Sequence, residues 1–229
     1  MSRAAPVRVV AVGGWDPSGR AGVLADVATL RAAGAEAAAV VTCLTAQGRR
    51  PRSTPLKPEL VAAQLEAVSD AGPVHAVKLG VIPDRAVLEV IARWLGDTPA
   101  VLDPVRVSSK GLTLSALKPR DFSALARKTV VLTPNRDEHA ALQGLRGFGA
   151  VVVKSFAPGT DAVFLDGRVA PILLKAGLLK RSPLHRGTGC RFASRLAVEL
   201  AREHTVLHAA RVAQRAVRKF LTTPILRQV

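Results

Sequence analysis

The sequence predicts an α/β fold in which a mostly parallel central sheet is flanked by helices on both faces. Three observations lead to this prediction. Short runs rich in Val and Ala alternate with longer segments whose apolar residues recur at helical spacing. The 229 residues, 48% of them apolar, suffice for one sizeable domain over residues 1–229. Glycines and polar residues directly follow several predicted strands.

Each predicted strand and helix follows from a local pattern in the sequence. A strand is predicted where β-branched residues and alanine run together, and a helix where apolar residues recur every three or four positions. In chain order the predicted strands cover residues 7–12, 37–43, 74–79, 100–102, 129–132 and 150–154. The predicted helices cover residues 21–33, 58–70, 84–95, 115–128, 188–202 and 207–222. Asp166-Gly167 separates strands 162–165 and 169–174 and predicts a hairpin, whereas 48–55 is predicted to be an inserted flap.

Composition excludes several classes of protein. No run of about 18 uncharged apolar residues occurs, so no membrane-spanning helix is expected. No signal-peptide pattern is seen, and two cysteines, Cys43 and Cys190, are too few for a disulfide framework, so a cytoplasmic protein is predicted. The net charge of +16 suits phosphate-rich ligands, or it reflects solvated helix faces. With 3% aromatic residues and no Tyr, we expect no specific nucleic-acid binding.

Glycines and polar residues gather where the predicted strands end. Asp16 follows the first strand, Gln47 the second, Asp103 the fourth and Asn135 the fifth. In open α/β sheets, ligands bind at the carboxyl ends of the strands. This clustering favours an enzyme over a purely structural protein.

The turn Gly187-Thr188-Gly189-Cys190 precedes a predicted helix and allows two interpretations. It is either an ordinary helix entry or an anion site, in which backbone N–H groups and the helix dipole hold phosphate oxygens. Cys190 is likewise either a small buried apolar residue or a base. In the second case the helix dipole, Arg186 and Arg191 would favour the thiolate, which could accept a proton during phosphoryl transfer.

Other residues also keep two interpretations. Asp26 either favours a helix N-terminus or binds a polar ring, and Asn135 with Glu138 forms either a capping box or part of a water-mediated Mg²⁺ shell. His204 and His208 have helical i, i+4 spacing, but no third metal ligand is evident. No Walker-type loop occurs.

Taken in order, these motifs resemble the hydroxymethylpyrimidine/phosphomethylpyrimidine kinase family of thiamine biosynthesis. The resemblance covers about 190 residues and depends on several motifs in the family's order rather than on any one alone. The matching segments are residues 14–26, 44–47, 60–65, 77–80, 101–105, 132–138, 152–154 and 187–190. The family has a ribokinase-like fold. With Mg²⁺, it transfers the γ-phosphate of ATP to the hydroxymethyl group or the phosphate of an aminopyrimidine.

The resemblance implies a role for each matching residue. The expected substrate-binding residues are Gly14, Ala21, Asp26, Gln47, Val81 and Val105. The expected catalytic residues are Gly187, Thr188 and Gly189, which form the anion hole, and Cys190, the proton acceptor. The expected nucleotide side comprises Asp103, Asn135 and Lys154, with Glu138 assigned to Mg²⁺. Expected partners are the aminopyrimidine and ATP, and a homodimer, since family members are often dimers.

The chain departs from the family at several positions, mostly on the nucleotide side. Trp15 replaces a small polar residue, Arg20 a glycine and Arg186 a histidine, and Ser155 begins a segment that is Gly-Gly-His in the family. Only 11 residues separate Glu138 from the strand predicted at 150, where the family has a further helix-containing unit. These departures favour one alternative, a catalytically weakened relative that binds the pyrimidine or its phosphate as a sensor or partner. A pyridoxal kinase-like enzyme is a second alternative, because the two pockets overlap chemically.

Overall fold

A nine-stranded, mostly parallel sheet organises the computed structural model of the protein. The structure describes residues 5–108, 111–127, 129–142, 144–179 and 185–223. The strand order is β3-β2-β1-β4-β5-β6-β7-β8-β9. Strands β2, β1, β4, β5, β6 and β7 pair in parallel. The edge pairings are antiparallel: β3 with β2 at one edge, and β8 with both β7 and β9 at the other.

The elements alternate along the chain as expected for a doubly wound sheet. The strands are β1 Arg8–Trp15, β2 Glu36–Ala46, β3 Arg52–Pro55, β4 Ala76–Leu79, β5 Ala100–Leu102, β6 Val130–Leu132, β7 Ala150–Ala157, β8 Thr160–Leu165 and β9 Ile172–Lys175. The helices are α1 Gly22–Ala32, α2 Pro58–Asp70, α3 Arg85–Leu95, α4 Arg136–Ala141, α5 Thr188–Ala201 and α6 Val206–Thr222, with a 3-10 helix at Pro119–Leu125. None of the described helices has the length and apolar character needed to cross a bilayer.

Two apolar cores confirm that helices cover both faces of the sheet. Successive residues of a strand point to opposite faces, so Val10 packs on one side and Val9 on the other. The first core joins the sheet to α2, α3 and the 3-10 helix. The second joins it to α1, α5 and α6, where small residues such as Ala193, Ala197 and Ala210 are fully buried.

Outside residues 115–128, the structure differs from the predicted elements in three main places. Arg52–Pro55, predicted as flap, pairs with β2 as an edge strand. β7 extends to Ala157 and turns at Gly159 into antiparallel β8, a hairpin that was not predicted. The six-residue helix α4 was not predicted either.

The helix predicted over 115–128 is shorter than expected, and its last residue lies outside the described residues. The structure has only the 3-10 helix, Pro119–Leu125. The preceding residues bond to the loop after β4 instead: the Ser115 hydroxyl donates to the Ile82 carbonyl, and the Ala116 N–H to that of Pro83. Pro119, which has no N–H to donate to a preceding helical turn, then suits the first turn of a helix.

Candidate active site

The turn before α5 is held in a conformation that only glycine adopts easily. Gly187 has φ +73° and caps α5, and a Cβ atom added to it would lie 2.1 Å from the carbonyl oxygen of Arg20. Arg191 fixes the same contact, because its Nη1 donates to the carbonyl oxygens of Arg20 and Gly187. The start of α5 is therefore locked to the loop between β1 and α1.

The first turn of α5 faces a lysine–aspartate pair at the carboxyl ends of β5 and β7. Lys154 Nζ donates to Asp103 Oδ1 at 2.5 Å. A Cβ atom added at Gly189 would lie 3.2 Å from Lys154 Nζ and 3.4 Å from Asp103 Oδ2. The amino end of a 14-residue helix and an ammonium group thus approach each other closely. Both would favour an anion between them. The turn is therefore a helix entry, and its role as an anion site stays a prediction.

Asn135 and Glu138 form the capping box at the start of α4. Asn135 Oδ1 accepts from the Glu138 N–H at 2.9 Å, and Glu138 Oε2 accepts from the Asn135 N–H at 2.8 Å. Asn135 also bridges to Lys154 in parallel register. Burial raises the pKa of Glu138, the carboxylate of Asp103 raises it further, and Lys154 opposes the rise. Two carboxylates therefore lie close to one lysine on this side.

Cys190 is half-buried, and its thiol does not have the lowered pKa that one of its two interpretations requires. Burial raises the pKa of the thiol, and its neighbours do not reverse this: Lys78 lowers it, Asp26 and Asp103 raise it, and the Gly22 N–H lowers it. Of the two arginines expected to stabilise a thiolate, Arg191 does interact electrostatically with Cys190, but it is also held by other contacts. Arg191 lies over the Phe220 ring at 4.0 Å, and Arg186 points to the ends of β1 and β2.

Asp26 lies in a buried ion pair. Lys78 Nζ approaches Asp26 Oδ2 at 2.8 Å, the Ser194 hydroxyl donates to Asp26 Oδ1 at 2.9 Å, and both charged side chains are at most 1% exposed. Burial tends to lower the pKa of Lys78, but Asp26 together with Cys190 and Asp103 raises it overall. The pair ties α1 to β4 and α5. Contact between Asp26 and a pyrimidine ring stays a prediction.

The residues expected to line the ring pocket lie beside this pair. A Cβ atom added at Gly14 would lie 2.9 Å from Cys43 Sγ and 3.7 Å from Val81 Cβ, so the backbone here leaves room only for glycine. Ala21 caps α1, next to Gly22, which packs on the Gly14 carbonyl. Val105 lies at the Asp103 end of the site, where its N–H donates to the Asp103 carbonyl.

Arg186 is the main residue of this region whose position the sequence analysis missed. Its Nη2 donates to Gln47 Oε1 at 2.5 Å and lies 3.6 Å from Asp16 Oδ2. The predicted ring-binding amide is therefore already engaged by a guanidinium. The signal in the sequence was an arginine directly before the glycine turn, in place of the family's histidine.

Two openings border the nucleotide side. A cleft of about 270 Å³ is lined in part by Pro104, Asn135 and Glu138. A larger one of about 640 Å³ lies where α4 and residues 144–149 meet β7 and β8, the part of the chain that is short relative to the family. In the same region Ser155 has φ +52°, a conformation that glycine adopts without strain.

A histidine cluster lies at the other end of α5. Contrary to the sequence analysis, a third metal-type ligand exists: Glu199 Oε2 is 2.7 Å from His204 Nδ1 and 3.9 Å from His208 Nε2. His204 precedes α6 rather than lying on it. Arg195 and Arg202 already pair with Glu199 Oε1, so this buried carboxylate is neutralised by structural ion pairs.

Comparison with known proteins agrees with this arrangement. A family model described as Phosphomethylpyrimidine kinase matches residues 16–150. The hydroxymethylpyrimidine/phosphomethylpyrimidine kinase of Streptomyces coelicolor is 36% identical over 95% of this chain and 89% of its own length. The enzyme of the same description from Rhizobium meliloti is 32% identical over 90% of this chain and 86% of its own.

Solved structures share the fold. The pyridoxal kinase of Staphylococcus aureus, in complex with AMP-PCP, has a TM-score of 0.81 at 23% identity, covering 96% of this chain and 89% of that one. Phosphomethylpyrimidine kinase from Clostridium difficile 630 has a TM-score of 0.75 at 22% identity, covering 94% and 100%. With more than half of the chain matched by the family model, and relatives above 30% identity matched over most of their length, the chain belongs to the phosphomethylpyrimidine kinase family and is a kinase of the ribokinase-like fold.

Proposed function

We propose that this kinase transfers the γ-phosphoryl group of ATP to 4-amino-5-hydroxymethyl-2-methylpyrimidine, to its monophosphate, or to both. The observation that carries the proposal is the glycine turn before α5, which faces Lys154 and Asp103. Gly14 and Val81, which are close to each other, are the residues expected to line the ring pocket. An acceptor ring in that pocket would direct its side group toward the anion site. Phosphoryl transfer depends mainly on such positioning and on charge stabilisation.

Each residue of the site then has a defined task. The Thr188 and Gly189 N–H groups at the start of α5 would stabilise the charge that develops on the transferred group, and Lys154 would neutralise the phosphates. In the transfer, the acceptor oxygen bonds to the γ-phosphorus and the bond from that phosphorus to the β–γ bridging oxygen breaks, releasing ADP. When the acceptor is a hydroxyl group, its proton would pass to Cys190 as thiolate.

The donors of the nucleotide side also fit Mg²⁺. Asp103 and Glu138 place two carboxylates near each other: burial raises the pKa of Glu138, and the Asp103 carboxylate raises it further. We propose that Asp103, Asn135 and Glu138 would hold the ion, mostly through water, as is usual for this cation. Bound there, Mg²⁺ would neutralise charge on the ATP phosphates.

The test is an ADP-release assay with each acceptor and Mg²⁺-ATP. We expect turnover with at least one aminopyrimidine, and its loss in Cys190→Ala when the hydroxymethyl compound is the acceptor. Cys190→Ser is the matched control for side-chain size. Binding of the pyrimidine by calorimetry without any ADP release would contradict the proposal and favour the sensor alternative. Faster turnover of pyridoxal than of either pyrimidine would point to the pyridoxal kinase-like alternative.

We further propose one domain over residues 1–229, a cytoplasmic location and a homodimer. The single nine-stranded sheet supports the first, and two free cysteines support a reducing compartment. Size-exclusion chromatography with light scattering measures the oligomeric state directly.

A further inference from the structure

Arg186 places a guanidinium group inside the acceptor side of the site. Arg186 directly precedes Gly187, and its side chain, which is 16% exposed, reaches the ends of β1 and β2. There it contacts Gln47 Oε1 and lies near Asp16, which is 4% exposed. The positive charge of Arg186 thus lies between the glycine turn before α5 and the pocket expected to hold the ring.

The hydrogen bonding of this group is incomplete. Among the residues that the structure describes, the buried Nε of Arg186 has no hydrogen-bond partner, and neither has Asp16 Oδ2. A guanidinium offers five N–H donors in a planar fork, and a buried donor without an acceptor is unfavourable. The guanidinium therefore has capacity for a further acceptor, whereas the open oxygen of Asp16 would take a donor.

Substrate binding would make the shortage greater. A ring that takes the Gln47 amide competes with Arg186 for the same oxygen, so the guanidinium loses its closest partner as the ring arrives. An acceptor bearing a phosphate supplies a replacement, since phosphate accepts two parallel hydrogen bonds from arginine. An acceptor bearing only a hydroxymethyl group supplies no such charge.

We propose that Arg186 is a specificity-determining residue that makes this kinase prefer the aminopyrimidine monophosphate over the uncharged hydroxymethyl compound. The inference depends on the proposed function and names the substrate within it. The expected reaction is attack of a phosphate oxygen of the monophosphate on the γ-phosphorus of ATP, with release of ADP and formation of the pyrimidine diphosphate.

The chemistry of Cys190 agrees with this preference. A hydroxymethyl acceptor must lose a proton, and burial raises the pKa of the Cys190 thiol above its usual range. A phosphate monoester has a second pKa of about 6, so its attacking oxygen is already deprotonated at neutral pH. The second phosphorylation therefore needs no thiolate.

The experiment compares the two acceptors at saturating Mg²⁺-ATP in the wild type, Arg186→Gln and Arg186→Lys, with Arg31→Gln as a control. Arg31 is exposed on α1, so its loss removes the same charge outside the site. In the wild type we expect a higher kcat/KM for the monophosphate. Arg186→Gln should lower that value about 10- to 100-fold, the effect of losing a charged hydrogen-bond pair. Values for the hydroxymethyl acceptor should change by only about 2- to 3-fold.

Arg186→Lys keeps the charge without the fork, so an intermediate loss confined to the monophosphate supports the proposal, and circular dichroism verifies that each variant is folded. Equal losses for both acceptors with a raised KM for ATP would assign the guanidinium to the nucleotide phosphates and overturn the proposal. No change for either acceptor would overturn it too.

A binding measurement separates this inference from the proposed function. Should the wild type turn over neither acceptor, calorimetric titration with each pyrimidine alone still tests Arg186. Tighter binding of the monophosphate that disappears in Arg186→Gln supports the role of Arg186 although the kinase proposal fails. Equal affinities of the wild type for the two compounds overturn it.

Discussion

Replacing Gly187 with alanine tests the geometry of the glycine turn before α5 most directly. The residue has φ +73°, and an alanine in the left-handed region is disfavoured by about 1–2 kcal/mol. The new Cβ atom would also lie 2.1 Å from the Arg20 carbonyl oxygen, closer by about 1 Å than such contacts allow. Either the Arg20 loop or the start of α5 has to move.

A displacement of that size at the reacting groups is expected to lower kcat/KM about 100-fold. Gly34→Ala is the matched control: Gly34 has φ +78° at the end of α1, and a Cβ atom added there would meet its nearest atom, Arg202 Nη2, at an ordinary 3.6 Å. Urea unfolding and the ADP-release assay measure both variants. If Gly187→Ala keeps the kcat/KM of Gly34→Ala, the lock between Arg20 and α5 does not position the site.

Two further predictions concern the groups behind the turn. Lys78→Met leaves the Asp26 carboxylate buried without its cation, so the free energy of unfolding, measured in urea, should fall by about 3–5 kcal/mol. The double variant Lys78→Met/Asp26→Asn should recover part of that loss. Strictly additive losses for the two substitutions would argue against a coupled pair. Because burial raises the pKa of Cys190 above the ordinary thiol value of about 8.5, the thiolate fraction keeps growing up to and beyond about pH 9. With the hydroxymethyl acceptor, kcat should therefore still be rising at about pH 9, whereas kcat with the monophosphate stays flatter; coincident pH profiles would remove Cys190 from proton transfer.

The sequence predicted the parallel core of the fold well because its strands are continuous apolar runs between glycine or aspartate breaks. Strands buried on both faces, such as β1 and β5, carry that signal without ambiguity. The β7–β8 hairpin lacked it, because Lys154, Ser155 and Pro158 interrupt the apolar pattern. Its turn depends instead on Gly159, whose backbone packs on Gly177, a residue 18 positions away.

In the candidate site, too, contacts between residues close in sequence were easier to predict than contacts between distant residues. The Asn135–Glu138 capping box was one of two interpretations that spacing allowed, since both partners lie within one helical turn. The partners of Asp26 could not be identified from spacing, because Lys78 and Ser194 lie 52 and 168 residues away. A lysine in a buried strand does imply an acidic partner, but only the fold identifies it. The same limit applied to Arg186 and Gln47, which are 139 residues apart.

The short connection between α4 and β7 affects which part of the sheet becomes accessible to solvent first. On one face of the β7–β9 edge, Val152, Val163 and Leu174 are buried beneath α5 and α6. On the other, Val151 and Phe164 are only half-buried and Leu173 is 48% exposed. Amide hydrogens of this edge should therefore exchange with solvent sooner than those of β1 or β4, which have helices on both faces. Lys154 belongs to β7, so the strand that carries the lysine proposed to bind the phosphates should also be among the first to loosen.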